Sequence, residues 1–187
     1  MNHLIDCNIF CNLKLEKPAE TIYFTKYKPY RVCGAKNPDF DRNSGLILDL
    51  KEGKEFAINW AFNMINPYLG KSFAITVVPS HDSLKMESPI KTLARRLVQA
   101  EPSRIDATGC LVRHTTIPKL AYGGDRSIDT HLKSIKVINP QIIQGIPVLV
   151  IDDVRTTGNS LSACVQLVKN FGAYIVKALA VSQTEGY

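Results

Sequence analysis

Two adjacent carboxylates, Asp152 and Asp153, follow the apolar run Val148-Leu149-Val150-Ile151, and Arg155-Thr156-Thr157-Gly158-Asn159-Ser160 comes two positions later. A strand that buries four apolar residues and then turns polar delivers its acids to the edge of a sheet, where open α/β folds bind ligands. The small hydroxyl residues and glycine that follow lead into a helix stripe of Leu161, Cys164, Val165, Val168 and Phe171. Backbone N–H groups at a helix start carry partial positive charge and cup an oxyanion, and threonine and serine hydroxyls add donors. Carboxylates accept hydrogen bonds from a diol. Acids followed closely by an anion cup therefore predict a ribose 5-phosphate with its 2- and 3-hydroxyls free. The plainer reading of Asp152 and Asp153 is a pair of solvated turn acids. An acidic pair after a strand also begins receiver domains, but those need most of their fold after it, and only 34 of the 187 residues follow Asp153.

Other candidates are single residues. Ser80, His81 and Asp82 follow the apolar run Phe73 to Val78 and Pro79, where a loop residue is as often a turn former as a ligand. Arg113, Lys119 and Arg126 could clamp phosphates, with His114 a weaker candidate, although basic loop residues are usually just solvated. Ser160 doubles as an ordinary helix cap. Trp60 belongs to an apolar stripe and reads as core.

The elements that must hold these residues follow from periodicity. Ala57, Trp60, Ala61, Met64 and Ile65 repeat at helical spacing between Lys54 and Asn66, and Pro67 stops the helix. Phe73 to Val78 is a continuous apolar run suited to a parallel strand covered on both faces. Ser88 and Pro89 open a helix with Ile90, Leu93, Ala94, Leu97 and Val98 on one stripe. Cys110-Leu111-Val112 is a further apolar stretch, and Arg113 to Asp129, with Pro118, Gly123 and Gly124, predicts a long mobile loop. A strand over 148–151, a helix over 161–171 and a strand over 174–181 complete the pattern. Alternation of this kind predicts an α/β protein, an open, mostly parallel sheet with helices on both faces. The first 45 residues lack sustained periodicity and predict an appendage of short strands and loops (1–45) before the main domain (46–187).

The thirteen positions from Val148 to Ser160 resemble the signature of type I phosphoribosyltransferases: an apolar run, two acids, two variable residues, Thr-Thr-Gly, and a hydroxyl residue two further on. The surrounding chain, from Leu46 to Val181, is most similar to the competence-associated ComF-type branch. The resemblance implies a Rossmann-like fold that binds phosphoribosyl diphosphate (PRPP) and transfers its phosphoribosyl group to a nitrogen nucleophile with release of pyrophosphate. It implies Asp152 and Asp153 as catalytic residues, with indirect contact to Mg2+, and 155–160 as the PRPP loop. Gly45 to Leu69 becomes the helix before the sheet, Ser80, His81 and Asp82 the pyrophosphate loop, and 113–133 the hood or acceptor side. A homodimer or a partner-bound chain is expected with it. Two features mark a divergent member: the loop at 79–82 has no arginine and no Arg-Gly-Phe-Asn-like continuation, and the paired N-terminal cysteine knuckles are absent. The alternatives are a PRPP or nucleotide sensor that has lost transfer, and an N-glycosidic hydrolase acting as a nucleotide-depleting effector.

Composition narrows the classes. The chain is 45% hydrophobic and 21% charged, values that can build a core and that resemble neither a disordered nor a membrane chain. No basic flank with a long apolar run opens it, so a cytoplasmic protein is expected. The cysteines at 7, 11, 33, 110 and 164 are irregularly spaced and suit reduced thiols better than disulfides or a four-ligand zinc site. Net charge is +6, and 90–136 carries nine Lys/Arg against four Asp/Glu. Such a rim attracts a multiply phosphorylated ligand as readily as nucleic acid, and the ligand is the preferred partner.

Overall fold

Each apolar run expected to be covered on both faces forms a parallel strand. In the computed structural model, which describes residues 9–11, 21–118 and 127–185, five parallel strands lie in the order β1-β9-β8-β4-β5. These are β1 (Thr21–Tyr27), β4 (Ala74–Val77), β5 (Ile105–Asp106), β8 (Pro147–Arg155) and β9 (Ile175–Thr184). Side chains alternate between two cores because successive strand residues point to opposite faces. Ile75, Val77, Leu149, Ile151, Leu179 and Val181 meet the helices α1 (Arg42–Lys51), α2 (Glu55–Ile65) and α3 (Pro89–Gln99). On the other face Val148, Val150, Ala178 and Ala180 pack with Leu161, Cys164 and Val168 of α5 (Asn159–Asn170). Complete burial of such Leu and Ile side chains contributes roughly 1.5–3 kcal/mol each. The expected fold class holds.

Several boundaries differ from the sequence reading for physical reasons. β1 comes from the stretch expected to be an appendage, yet pairs in parallel with β9 from Thr21↔Ala178 to Tyr27↔Thr184, so the sheet crosses the expected boundary at residue 45. The segment expected as one helix over 45–69 is α1, α2 and a 3₁₀ turn at Asn66–Tyr68. Asp41 accepts the Ser44 N–H and caps α1, and Gly53 at φ +79° separates it from α2. Within the expected loop, Arg113 ends a strand, and α4 (Ile128–Ser134) begins at a Ser127 cap whose hydroxyl accepts the Thr130 N–H. β6 (Leu111–Arg113) and β7 (Ile135–Val137) form an antiparallel pair, while β2 (Arg31–Val32) and β3 (Ala35–Lys36) form a small hairpin. Residues 119–126, with Lys119, Gly123, Gly124 and Arg126, lie outside the described residues. Among the described residues no helix is long and apolar enough to cross a membrane.

Strand order also creates a crevice. From β4 the chain runs through α3 to β5 on one side, whereas β8 pairs with β4 on the other and continues through α5 to β9. α3 and α5 cover opposite faces, so the carboxyl ends of β4 and β8 flank the point where the winding reverses, the usual ligand position in such sheets.

Candidate active site

β8 does not stop at Ile151, as its apolar run suggests. β4 pairs with it only as far as Val77↔Ile151, but β9 continues beside it from Asp152↔Ala180 through Arg155↔Gln183. The two acids therefore stand on strand backbone, at a segment supported from one side and open on the other. Both are half-buried. The Asp153 N–H donates to Asp152 Oδ1 at 2.9 Å, and the Val154 N–H donates to Asp153 Oδ1 at 2.6 Å. Alternation along β8 puts Asp152 on the α5 face. The Cys164 thiol of α5 is consistent with that placement: burial drives its pKa far up, and the negative charge of Asp152 pushes in the same direction.

The loop from β8 to α5 is held from beneath by the end of β9. The Gln183 amide donates to the Thr156 carbonyl at 3.2 Å, and the Thr156 and Thr184 hydroxyls are 3.1 Å apart. Gly158 then turns the chain at φ +84°, ψ 1°, and its carbonyl accepts the Ser162 N–H at 2.8 Å. A side chain strains that left-handed conformation. Among the described residues, the N–H groups of Thr157, Gly158 and Ser160 meet no acceptor, as befits the first turn of a helix. The Arg155 guanidinium lies across this turn, with Nε 2.9 Å from where a Cβ on Gly158 would stand. A cation and open N–H donors thus share one small loop.

The expected pyrophosphate loop leaves β4 on the other side of the crevice, and the Val78 N–H donates to the Ile151 carbonyl at 3.0 Å. Arg113 is buried and its guanidinium ties this loop down. Nε donates to the Ser80 carbonyl, Nη1 to Ser134 Oγ at 2.5 Å, and Nη2 lies 3.3 Å from His131 Nδ1. The His81 carbonyl accepts the Ile117 N–H at 3.0 Å, and the Ser83 N–H donates to Thr116 Oγ1 at 3.0 Å. Arg113, weighed above as a phosphate clamp, is thus bonded as a brace between the β4 loop, β6 and α4. His114 is exposed and pairs with the Thr115 hydroxyl at 3.0 Å. Ser80 and Asp82 face a cavity beyond β4 and β5.

Sequence reading missed Gln183 and Thr184 as supports of the loop. Their signal is the change from the apolar Leu179-Ala180-Val181 to Ser182-Gln183-Thr184, the same switch of character that marks the end of β8.

No protein-family model matches the chain, and no curated protein matches it. Among solved structures it is similar to an adenine phosphoribosyltransferase from Thermoanaerobacter pseudethanolicus, at 14% identity and a TM-score of 0.45 over 79% of this chain and 90% of that one. It is similar to a purine phosphoribosyltransferase from Pyrococcus horikoshii, at 15% identity and a TM-score of 0.40 over 90% of this chain and 91% of that one. A phosphoribosylpyrophosphate synthetase from Mycobacterium smegmatis matches at 13% identity and a TM-score of 0.35 over 69% of this chain. The match covers only 32% of that synthetase's length.

Proposed function

We propose that this protein binds PRPP at the carboxyl end of β8 and transfers its phosphoribosyl group to a nitrogen nucleophile. One observation carries the reading: at the crevice where the winding reverses, a carboxylate pair and a helix start with open N–H groups are consecutive on one strand–loop–helix unit.

In that reaction the bond from the anomeric carbon to pyrophosphate breaks, its electron pair leaves with pyrophosphate, and a carbon–nitrogen bond forms as the nucleophile's proton passes to solvent. Thr157, Gly158 and Ser160 N–H groups and Arg155 hold the 5-phosphate, with Thr156, Asn159 and the Ser160 hydroxyl completing the loop. That remote binding energy positions the reacting carbon. Asp152 and Asp153 accept from the ribose hydroxyls and stabilise positive charge as it develops on the sugar. Hard carboxylate oxygens suit magnesium, and no cluster of three metal-ligating side chains occurs among the described residues, so substrate oxygens and water must complete the ion's shell. Asp152 and Asp153 would hold the ion, directly or through water, and it would neutralise the departing pyrophosphate.

A second reading, a PRPP sensor without transfer, is favoured by a separate observation. Residues 79–82 of the β4 loop include no lysine or arginine, and Arg113 beside them is spent on the Ser80 carbonyl. Calorimetry with PRPP and magnesium, followed by pyrophosphate release assays with bases, amines and water, separates the readings. Turnover with a nitrogen acceptor is expected; binding alone selects the sensor, and release with water alone selects a hydrolase. Changing Asp152 and Asp153 together to Asn should weaken PRPP at least tenfold with the circular dichroism unchanged. Unaltered affinity removes the site.

A further inference from the structure

β1 is the outer strand of the sheet, and its pairing with β9 fixes the direction of its backbone groups. The Tyr27 carbonyl accepts the Glu185 N–H at 2.9 Å across that seam, so the odd-numbered residues of β1 turn their N–H and C=O groups toward β9. Those of Ile22, Phe24 and Lys26 turn outward, and among the described residues none of them meets a partner. The outward row is closed at Lys28, whose N–H donates to Ser44 Oγ of α1 at 2.9 Å. The open edge is therefore the segment 22–26, centred on Phe24.

Natural sheets blunt an open edge with proline, a bulge or a charge. β1 holds no proline, and its register with β9 keeps one offset from Thr21↔Ala178 to Tyr27↔Thr184, which excludes a bulge. Its one charge, Lys26, is offset by Glu185 at 3.2 Å. Aromatic surface is uncovered on both faces beside the edge. On the face of α1 and α2, the half-buried Phe24 ring lies 5.5 Å from that of Tyr68, which is exposed. On the α5 face Tyr23 is 46% exposed, and a groove of about 250 Å³ between Thr21 and α5 leaves room beside the strand.

Donors and acceptors alternating along an extended edge are met in full by another extended chain. We propose that the occupant is a second copy of this protein, with the two β1 strands antiparallel about a two-fold axis at Phe24, so that two five-stranded sheets join into one of ten strands. In this register Phe24 faces its own counterpart and Ile22 faces Lys26, and every outward group gains a partner with none left over. Tyr23 falls opposite Thr25 of the second copy, a cross-strand pair of an aromatic and a β-branched residue. Charge selects the antiparallel arrangement. The two Lys26 side chains stand at opposite ends of the paired segment, roughly 14 Å apart along the strands, whereas parallel pairing in register sets them side by side.

Sedimentation equilibrium of the intact protein over a range of concentrations, with no PRPP present, tests the pairing separately from the β8 loop. A dimer is expected. Tyr23→Asp, at an exposed position, sets two carboxylates on diagonal positions across the seam and should weaken the dimer at least tenfold with the circular dichroism unchanged. In a Tyr23→Cys, Thr25→Cys protein the opposed cysteines have Cα atoms about 4.5 Å apart, within disulfide reach, and mild oxidation should give a covalent dimer. Tyr23→Cys alone leaves its two thiols on diagonal positions roughly 7–8 Å apart and should give no more covalent dimer than the parent with its native thiols. A monomeric parent would leave the edge to an extended segment of another protein and overturns the proposal. So does a dimer that a folded Tyr23→Asp protein retains undiminished, or a double-cysteine protein that crosslinks no more than the single one.

Discussion

Gly158 and Arg155 occupy the same few ångströms, and their separate contributions can be told apart. The backbone at φ +84° disfavours any side chain by roughly 1–2 kcal/mol, whatever surrounds it. The contact with Arg155 Nε at 2.9 Å involves the end of a flexible side chain, which can move. Gly158→Ala should therefore cost about 1–2 kcal/mol in urea unfolding, and the cost should persist in an Arg155→Ala background. A cost that vanished there would assign it to the contact instead. Binding should behave differently: a methyl at 158 pushes the guanidinium off the loop, so Gly158→Ala should weaken PRPP more in the parent protein than in the Arg155→Ala variant. Calorimetry on the four proteins of that cycle gives both answers.

Among the elements, the 3₁₀ turn, the end of α3 and the start of β5 are joined by one buried guanidinium. Arg104 donates to the carbonyls of Leu97 at 2.6 Å, Leu69 at 3.0 Å and Gly70 at 3.0 Å, and to Asn66 Oδ1 at 2.8 Å. The Leu97 carbonyl belongs to the last turn of α3, where no intrahelical donor reaches it. Arg104→Leu leaves these acceptors buried and unpaired, and an expected loss of about 2–4 kcal/mol should appear as a lower urea midpoint. Arg104→Lys should recover only part, because an ammonium has no rigid fork. Neither Arg104 nor Arg113 announced this work in the sequence, since an arginine between short apolar stretches reads as solvated until the carbonyls of distant segments gather around it. Periodicity carried α2, α3, α5, β4 and β9 because each buries a regular stripe or run. It could not carry α1, whose Leu46-Ile47-Leu48 is a run with Gly45 and Asn43 nearby, or the seven-residue α4, which packs chiefly through His131 and Ser134. The acids and the loop of the candidate site were legible because their types change abruptly after an apolar strand. Their support by Gln183 and Thr184 was not, because it depends on how far β9 outruns β4.

Across the whole molecule, two apolar layers flank one sheet, and the layer beneath α5 holds two thiols that the sequence could only describe as reduced. Cys110 is 2% exposed and Cys164 is fully enclosed, and burial raises both pKa values, Cys110 from an ordinary 9.0 to about 11 and Cys164 higher still. The consequence for stability has a definite sign. Below pH 9 both folded and unfolded chains hold these protons, and the thiols leave stability unchanged. Between pH 9 and about 11 the unfolded chain releases the Cys110 proton while the folded chain keeps it, so folding loses up to about 1.4 kcal/mol per pH unit from that group. Above pH 11 its contribution to the loss levels off, while that of Cys164 continues. Urea midpoints should accordingly fall steeply from pH 9 to 10.5, and the fall should be shallower in a Cys110→Ala, Cys164→Ala protein than in its parent. The two proteins carry the same lysines and tyrosines, so the difference between the two slopes isolates the thiols. Equal slopes would show that water reaches both sulfurs, and with them the base of the helix that follows the 155–158 loop.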